Sequence, residues 1–219
     1  MTLQMGLTLS AILFVGLHFL LSHPLRTPLV RAVGEKPFRG IYSLIALVTF
    51  AGMIYFYNKI GREPRIYAPP SDIMWAAASL LMWLASILLV GSFFKNPALV
   101  GAPGPKGGPA GVLGITRHPM MWSFALWALV HIVVVGTGKA LVFDVAIIVL
   151  ALGGAALQDT KKARQLGEDW HDWTAQTAFV PFTKGVGNPG AVALIGGTIL
   201  FFAATWLHPM HVGFWRWIA

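Results

Sequence analysis

The stretch Ile73–Phe94 reads IMWAAASLLMWLASILLVGSFF and contains no charged side chain. A helix needs about 20 mainly apolar residues to cross the hydrocarbon core of a membrane, so this stretch predicts a membrane-spanning helix. Five other stretches qualify or nearly do: Met5–Ser22, Gly40–Tyr57, Pro119–Gly136, Lys139–Gln158 and Ala191–His208. Backbone polar groups in lipid must be paired internally, and no alternating barrel strands are visible. We therefore predict an all-α, polytopic membrane helix bundle with about six transmembrane helices.

The composition supports this fold class. The chain has 219 residues, of which 56% are hydrophobic and 11% are charged. An ordinary soluble domain is about 25% charged, and a disordered chain is far less apolar. Cysteine is absent, which excludes disulfides, thiolate metal sites, a cysteine nucleophile and covalent haem attachment. Any haem would therefore be held by non-covalent ligation.

The net charge is +8. In a soluble protein this would suggest nucleic acid, but here it is typical of basic loops beside membrane helices, so we expect membrane lipids and no nucleic acid as partners. The first, third and fifth loops carry eleven of the sixteen Lys and Arg residues. We predict that these loops are cytoplasmic and that both termini lie outside. The first span lacks the features of a signal peptide, and we expect it to be retained.

Three ionisable side chains lie well inside the predicted spans, and they are His18, His131 and Asp144. Such groups are costly in lipid and functional by default. Two histidines in one bundle indicate paired metal ligands, because imidazole is the commonest biological metal ligand. On helical spacing, Ser22 shares the face of His18 and Trp127 that of His131. Asp144 is expected to be an interfacial acid near a helix start.

The depths of the two histidines differ along their helices. His131 lies ~18 Å from the start of its helix at Pro119, whereas His18 lies ~6–9 Å from the cytoplasmic end of its own helix. Axial ligands of one haem should be nearly level, and helix tilt absorbs only part of this difference. His118, nearer the cytoplasmic surface, is therefore a competing partner for His18.

The run Gly114–Pro119 reads GITRHP and joins a loop rich in glycine and proline to the fourth span. Pro119 suits the first position of a helix, and a helix N-terminus beside Arg117 is a typical anion site. The anion would be a phosphate, a cofactor carboxylate or a haem propionate. The alternative is that Arg117 extends to lipid headgroups.

The connection after the fifth span, 159–189, mixes charged and aromatic residues. This pattern predicts an amphipathic segment at the membrane surface, with Trp170 and Trp173 as interfacial anchors and His171 in solvent.

Three blocks of the sequence together resemble one known family. They are His18–Ser22 with Gly34–Ser43, then Ile115–Pro119 with Trp127, Ala128 and His131, and finally Arg164, Leu166–Glu168, Thr177 and Phe179–Phe182. With these blocks the chain resembles the NnrU family of bacterial membrane proteins, to which the zeta-carotene isomerases are related. The resemblance covers nearly the whole chain and implies a single integral-membrane domain over residues 1–219, in the bacterial inner (cytoplasmic) membrane.

The resemblance also implies a cofactor and an activity. It implies haem b, with its iron held between His18 and His131, and we place Arg117, His118, Ser22 and Trp127 among the candidate cofactor-binding residues. The implied function is a haem-dependent cis–trans isomerase of an apolar polyene, or a haem protein linked to nitric oxide and denitrification metabolism. The substrate would be an apolar lipid or isoprenoid.

The residue at position 128 departs from the isomerase pattern. The isomerases have a cysteine three residues before the second histidine, where this chain has Ala128. A thiolate ligand is therefore absent here, and the redox ligand switching that such a thiolate would allow is not expected.

Two other functions remain open on the sequence. Arg117-His118-Pro119 also occurs in S-adenosylmethionine-dependent membrane methyltransferases of the isoprenylcysteine type, together with a tail motif like Gly167-Glu168. The basic pair that follows Asp159 weakens that match. A bundle with short loops also fits a non-enzymatic accessory protein of a respiratory complex.

Overall fold

A computed structural model of the chain describes residues 1–99 and 102–218, and it contains no strand in that part of the chain. The eight α-helices are α1 (Leu3–Ser22), α2 (Arg26–Val33), α3 (Glu35–Ile60), α4 (Asp72–Gly91), α5 (Pro119–Val135), α6 (Gly138–Leu166), α7 (Glu168–Gln176) and α8 (Ala191–Trp206). Single turns of 3₁₀-helix lie at Gly111–Gly114 and Gly213–Trp217. The all-α prediction is confirmed.

Six of the described helices are apolar. Helices α1, α3, α4 and α6 are long and apolar enough to cross a membrane, and α5 and α8 are shorter apolar helices. They coincide with the six predicted stretches, so the chain is a multi-pass membrane protein. Helix α3 begins at Glu35 and α6 ends at Leu166, beyond the predicted spans, because polar residues continue both helices past their apolar parts.

The orientation across the membrane is testable with reporter fusions at residue 219 and within the loop before Arg117. The excess of Lys and Arg in the odd loops predicts a non-cytoplasmic signal at residue 219 and a cytoplasmic signal in the loop. A cytoplasmic signal at residue 219 would show that the orientation is wrong. Signals on the same side at both points would show that the number of spans between them is wrong.

The chain forms two compact units. Unit 1 comprises Met1–Pro69 and His131–Leu150, and unit 2 comprises Pro70–Val130 and Ala151–Ala219. The boundaries fall inside α5 and α6, so each of these helices contributes one end to each unit. The single domain expected over residues 1–219 stays a prediction.

Unit 1 is built on the packing of α1 against α3. Gly52 of α3 lets the two helices approach closely, since a Cβ placed on it would lie 3.2 Å from the hydroxyl of Ser10 in α1. The buried core of the unit consists of Leu7, Ala11, Phe14, Met53 and Ala146. Asp144 is 3% exposed in the same part of α6, six residues after the start of that helix, and its position at the membrane interface stays a prediction.

Unit 2 pairs α4 with α8, again through glycine. A Cβ placed on Gly197 of α8 would lie 2.5 Å from the Cα atom of Ile87 in α4. Backbone atoms in a packed helix pair cannot move aside as a flexible side chain can, so this position admits only glycine.

Replacing Gly197 by leucine should therefore destabilise unit 2 strongly. Overpacking against a side chain costs about 1–3 kcal/mol, and a clash with backbone should exceed that range. The same change at Gly154 is a matched control, because no atom from another part of the described chain lies within 4 Å of a Cβ placed there. Thermal unfolding in detergent should show a much lower Tm for Gly197→Leu than for Gly154→Leu, and equal values would contradict this account of the α4–α8 contact.

Helix α7 turns its aromatic face inward. Trp170 and Trp173 are 1% and 4% exposed and pack in a buried cluster with Ala98 and Leu113. The prediction that they anchor the protein at the membrane interface is therefore wrong, because both indole rings are part of the buried core of unit 2. His171, between them, is exposed as expected.

Candidate functional site

His18 lies in unit 1, one turn before the end of α1. Its Nδ1 atom is 2.6 Å from the carbonyl oxygen of Phe14, and the Phe14 ring meets the imidazole edge-on at 4.5 Å. The ring of Tyr42 lies 5.5 Å away on another side. Because a carbonyl oxygen can only accept, Nδ1 carries a proton, and in the neutral imidazole the lone pair is then on Nε2. This is the tautomer typical of metal-bound histidines, which donate their other N–H to a carbonyl or carboxylate.

Ser22 lies one turn after His18 on the same helix, as predicted. Its hydroxyl donates to the carbonyl oxygen of His18 and lies 2.8 Å from Nδ1 of His23. The serine therefore bonds to the backbone of His18 rather than to its imidazole. Its contact with His23 was not predicted.

His131 also belongs to unit 1 and is half-buried near the end of α5. Trp127, half-buried, and Ala128, fully buried, lie one turn earlier on that helix. The end of α5 is held by Arg65, whose guanidinium donates to the carbonyl oxygens of the last three residues, 133–135. Cations at a helix C-terminus also interact favourably with the helix dipole. Arg65 was not singled out from the sequence.

His18 and His131 lie at different levels of unit 1. The side-chain nitrogen of Gln4 lies 3.9 Å from a Cβ placed on Gly138, so α1 and α6 begin at the same level. His18 is fourteen residues beyond Gln4, a rise of ~21 Å. Helix α5 ends at Val135, just before α6 begins, so the end of α5 is close to that same level. His131 is four residues before Val135 and therefore lies only ~6 Å from it. The axial offset expected from the sequence is therefore present in the fold.

The second group of candidates lies in unit 2 and centres on a carboxylate. Arg117 donates through Nε and Nη2 to one oxygen of Asp159, at 2.9 and 2.7 Å, and through Nη1 to the carbonyl oxygen of Thr177. The other oxygen of Asp159 lies 2.7 Å from Nε2 of His118. The His118 side chain is 0% exposed. Three polar side chains thus form one buried network.

This network fastens the segment after α7 to the start of α5. The backbone N–H of Arg117 donates to the carbonyl oxygen of Ala178 at 2.8 Å, and the hydroxyl of Thr116 and the indole of Trp122 both donate to that of Phe179. The guanidinium also lies 5.3 Å from the centre of the Phe179 ring. The anion that Arg117 meets in the fold is therefore Asp159. Binding of a cofactor anion by Arg117 stays a prediction.

The predicted site residues consequently fall into two groups: unit 1 contains His18, Ser22 and His131, and unit 2 contains Arg117, His118 and Trp127. Nδ1 of His118 is buried and has no hydrogen-bond partner in the described ranges. No cluster of three or more His, Cys, Asp or Glu suited to a metal ion occurs among the described residues. A haem iron requires only two imidazoles.

Comparison with known proteins gives three findings. The sequence profile of the family described as "NnrU protein" matches residues 6–216. Two curated relatives are named 15-cis-zeta-carotene isomerase, chloroplastic. The one from Arabidopsis thaliana is 26% identical over 166 residues, 69% of this chain and 42% of that protein, and the one from Zea mays is 25% identical over 166 residues, 69% and 43%. The chain thus spans less than half the length of these relatives. No solved structure matches it.

Proposed function

We propose, since the chain belongs to the NnrU family, that it is a multi-pass membrane isomerase acting on a cis double bond of an apolar polyene. The observation that carries this proposal is the similarity to two proteins named 15-cis-zeta-carotene isomerase. Both names describe an isomerase, which favours this function over the methyltransferase alternative. For the location we propose the bacterial inner membrane, as the resemblance to bacterial NnrU proteins implies. A role in nitric oxide metabolism stays a prediction.

The surface of the bundle suits a substrate dissolved in lipid. Few residues in the apolar part of helix α3 are buried, and Leu44, Leu47 and Val48 are exposed. An apolar polyene partitions into the hydrocarbon core because transfer out of water is favourable by about 0.8 kcal/mol per CH₂ group. The substrate would therefore reach the protein from within the bilayer, and no soluble domain is needed to deliver it.

The proposal includes haem b held by His18 and His131. Their axial offset of ~15 Å does not fit two ligands of one iron as the helices stand, so the proposal requires α1 and α5 to shift relative to one another. The state of His18 fits an iron ligand, because its Nδ1–H donates to the carbonyl oxygen of Phe14 and leaves Nε2 with a lone pair. Bound haem would supply a redox-active iron. His18 and His131 would hold it, and Phe14 would fix the ring orientation of His18.

Expression in bacteria that accumulate 15-cis-zeta-carotene tests this function. Cells kept in darkness, to exclude photoisomerisation, should show a lower fraction of the 15-cis isomer by chromatography when the chain is present. His171→Ala changes an exposed histidine outside the site and should act like wild type, whereas His18→Ala should not. An unchanged isomer ratio, with the protein present in the membrane fraction, would refute the proposed activity.

A further inference from the structure

Two buried hydrogen-bond donors on α7 lack acceptors. The indole nitrogens of Trp170 and Trp173 are fully buried and have no hydrogen-bond partner in residues 1–99 and 102–218. Positions three apart lie on one face of a helix, so both donors face the same cluster. A buried donor without a partner costs about 1–3 kcal/mol, and native proteins rarely retain one. Two such donors side by side indicate that an acceptor belongs there.

A third donor belongs to the same region. Lys162 of α6 is 8% exposed, and its ammonium has one hydrogen bond in the described part of the chain, to the carbonyl oxygen of Leu99 at 3.4 Å. An ammonium group can donate three hydrogen bonds. A buried cation with one long hydrogen bond is poorly compensated, because burial removes it from water.

Two contacts place the three donors near the same turn of the chain. Ala98 packs in the cluster of Trp170 and Trp173, and the next residue, Leu99, accepts from Lys162. The glycine- and proline-rich loop lies over the same cluster, since a Cβ placed on Gly104 would be 3.5 Å from the side chain of Leu166. The end of α6, α7, the Ala98–Leu99 turn and this loop therefore border one buried region of unit 2.

The buried donors of this region have no carboxylate as a partner among the described residues. The nearest acid along α6 is Asp159, and both its oxygens already accept from Arg117 and His118. No carboxylate bonds to Lys162 or to either indole among the described residues. Lys161 and Arg164 flank Lys162 on α6, and the acids of α7, Glu168, Asp169 and Asp172, are exposed to solvent. Among the described residues, the two indoles and the Lys162 ammonium are thus left with fewer acceptors than they can use.

We propose that Lys162, Trp170 and Trp173 bind the phosphate group of a ligand, either a phospholipid headgroup or a soluble phosphate. A phosphate offers several strong acceptor oxygens, which suits three donors on two helices, and hydrogen bonds from an ammonium to phosphate are charge-assisted. This site uses none of the residues to which the isomerase proposal assigns the haem. Failure of one proposal therefore leaves the other unaffected.

The test uses delipidated protein in detergent, with inorganic phosphate or dioleoyl phosphatidic acid as probes. Chloride and dioleoylglycerol, which lacks the phosphate, are the controls. A saturating probe should raise the Tm by about 5 °C. In protein labelled with ¹⁵N-tryptophan, it should also shift the two indole N–H signals that Trp170→Phe and Trp173→Phe identify. A response to phosphatidic acid alone would assign a lipid headgroup, and a response to inorganic phosphate as well would assign the phosphate itself.

Lys162→Met should abolish the Tm rise without lowering the Tm of the ligand-free protein, because it removes a poorly bonded buried charge. Arg164→Met, at an exposed neighbour on α6, should retain the rise. Absence of any Tm rise and of any indole shift in the wild type would overturn the proposal and assign the donors to bound water. An equal response in Lys162→Met would show binding elsewhere and would also overturn it.

Discussion

Replacing either His18 or His131 by alanine should abolish the low-spin haem spectrum of the purified protein. Two imidazoles on opposite sides of an iron give a low-spin centre, and loss of one leaves a high-spin haem or none. The chain has no cysteine, so no thiolate can take the vacant position. Absorption spectra of the oxidised and reduced protein, with low-temperature electron paramagnetic resonance, measure the spin state directly.

His118→Ala is the discriminating control for this ligand pair. His118 is bound to Asp159 in unit 2, so its loss should leave a low-spin spectrum even if it lowers stability. The axial offset between His18 and His131 makes His118 the alternative that must be distinguished. If His118→Ala removes the low-spin signal and His131→Ala does not, the ligand assignment is wrong.

Asp159→Asn should destabilise unit 2 by about 3 kcal/mol or more. Breaking a buried ion pair from one side costs about 3–5 kcal/mol, because the remaining charge stays buried. Here Arg117 and Asp159 are 12% and 18% exposed, and His118 bonds to the other oxygen of the same carboxylate. Amide exchange should also accelerate at Arg117, whose N–H fastens the segment after α7.

The matched control for this prediction is Asp72→Asn. Asp72 forms an ion pair with Arg216 at 3.2 Å, but its carboxylate is 74% exposed. Exposed pairs of this kind contribute little. Thermal unfolding in the same detergent should therefore separate the two variants clearly. Equal losses of Tm would mean that the Asp159 network does not stabilise unit 2.

The apolar spans could be predicted from the sequence because lipid imposes a simple requirement of length and composition. The ends of the helices could not be predicted in this way. Helices α3 and α6 continue into polar sequence, where hydropathy does not indicate whether the chain is helical. The two tryptophans of α7 show a second limit. Trp170 and Trp173 have the composition of interfacial anchors, yet they form core, and only the fold decides between these uses of the same side chain.

In the candidate site, too, some residues could be predicted from the sequence and others could not. His18 and His131 could be singled out because a histidine in an apolar span is unusual on its own. The partner of Arg117 could not, because Asp159 lies 42 residues away and no periodic pattern connects them. Likewise, the bond from His18 to Phe14 follows from helical spacing, whereas the contact with Tyr42 depends on how α1 packs against α3.

The most direct measurement is turnover of 15-cis-zeta-carotene by the purified, haem-loaded protein in liposomes kept in darkness. The account predicts that the 15-cis isomer disappears at a rate proportional to the amount of protein, and that His18→Ala protein in the same liposomes leaves it unchanged. Folded, haem-loaded protein that converts the substrate no faster than protein-free liposomes would contradict the account.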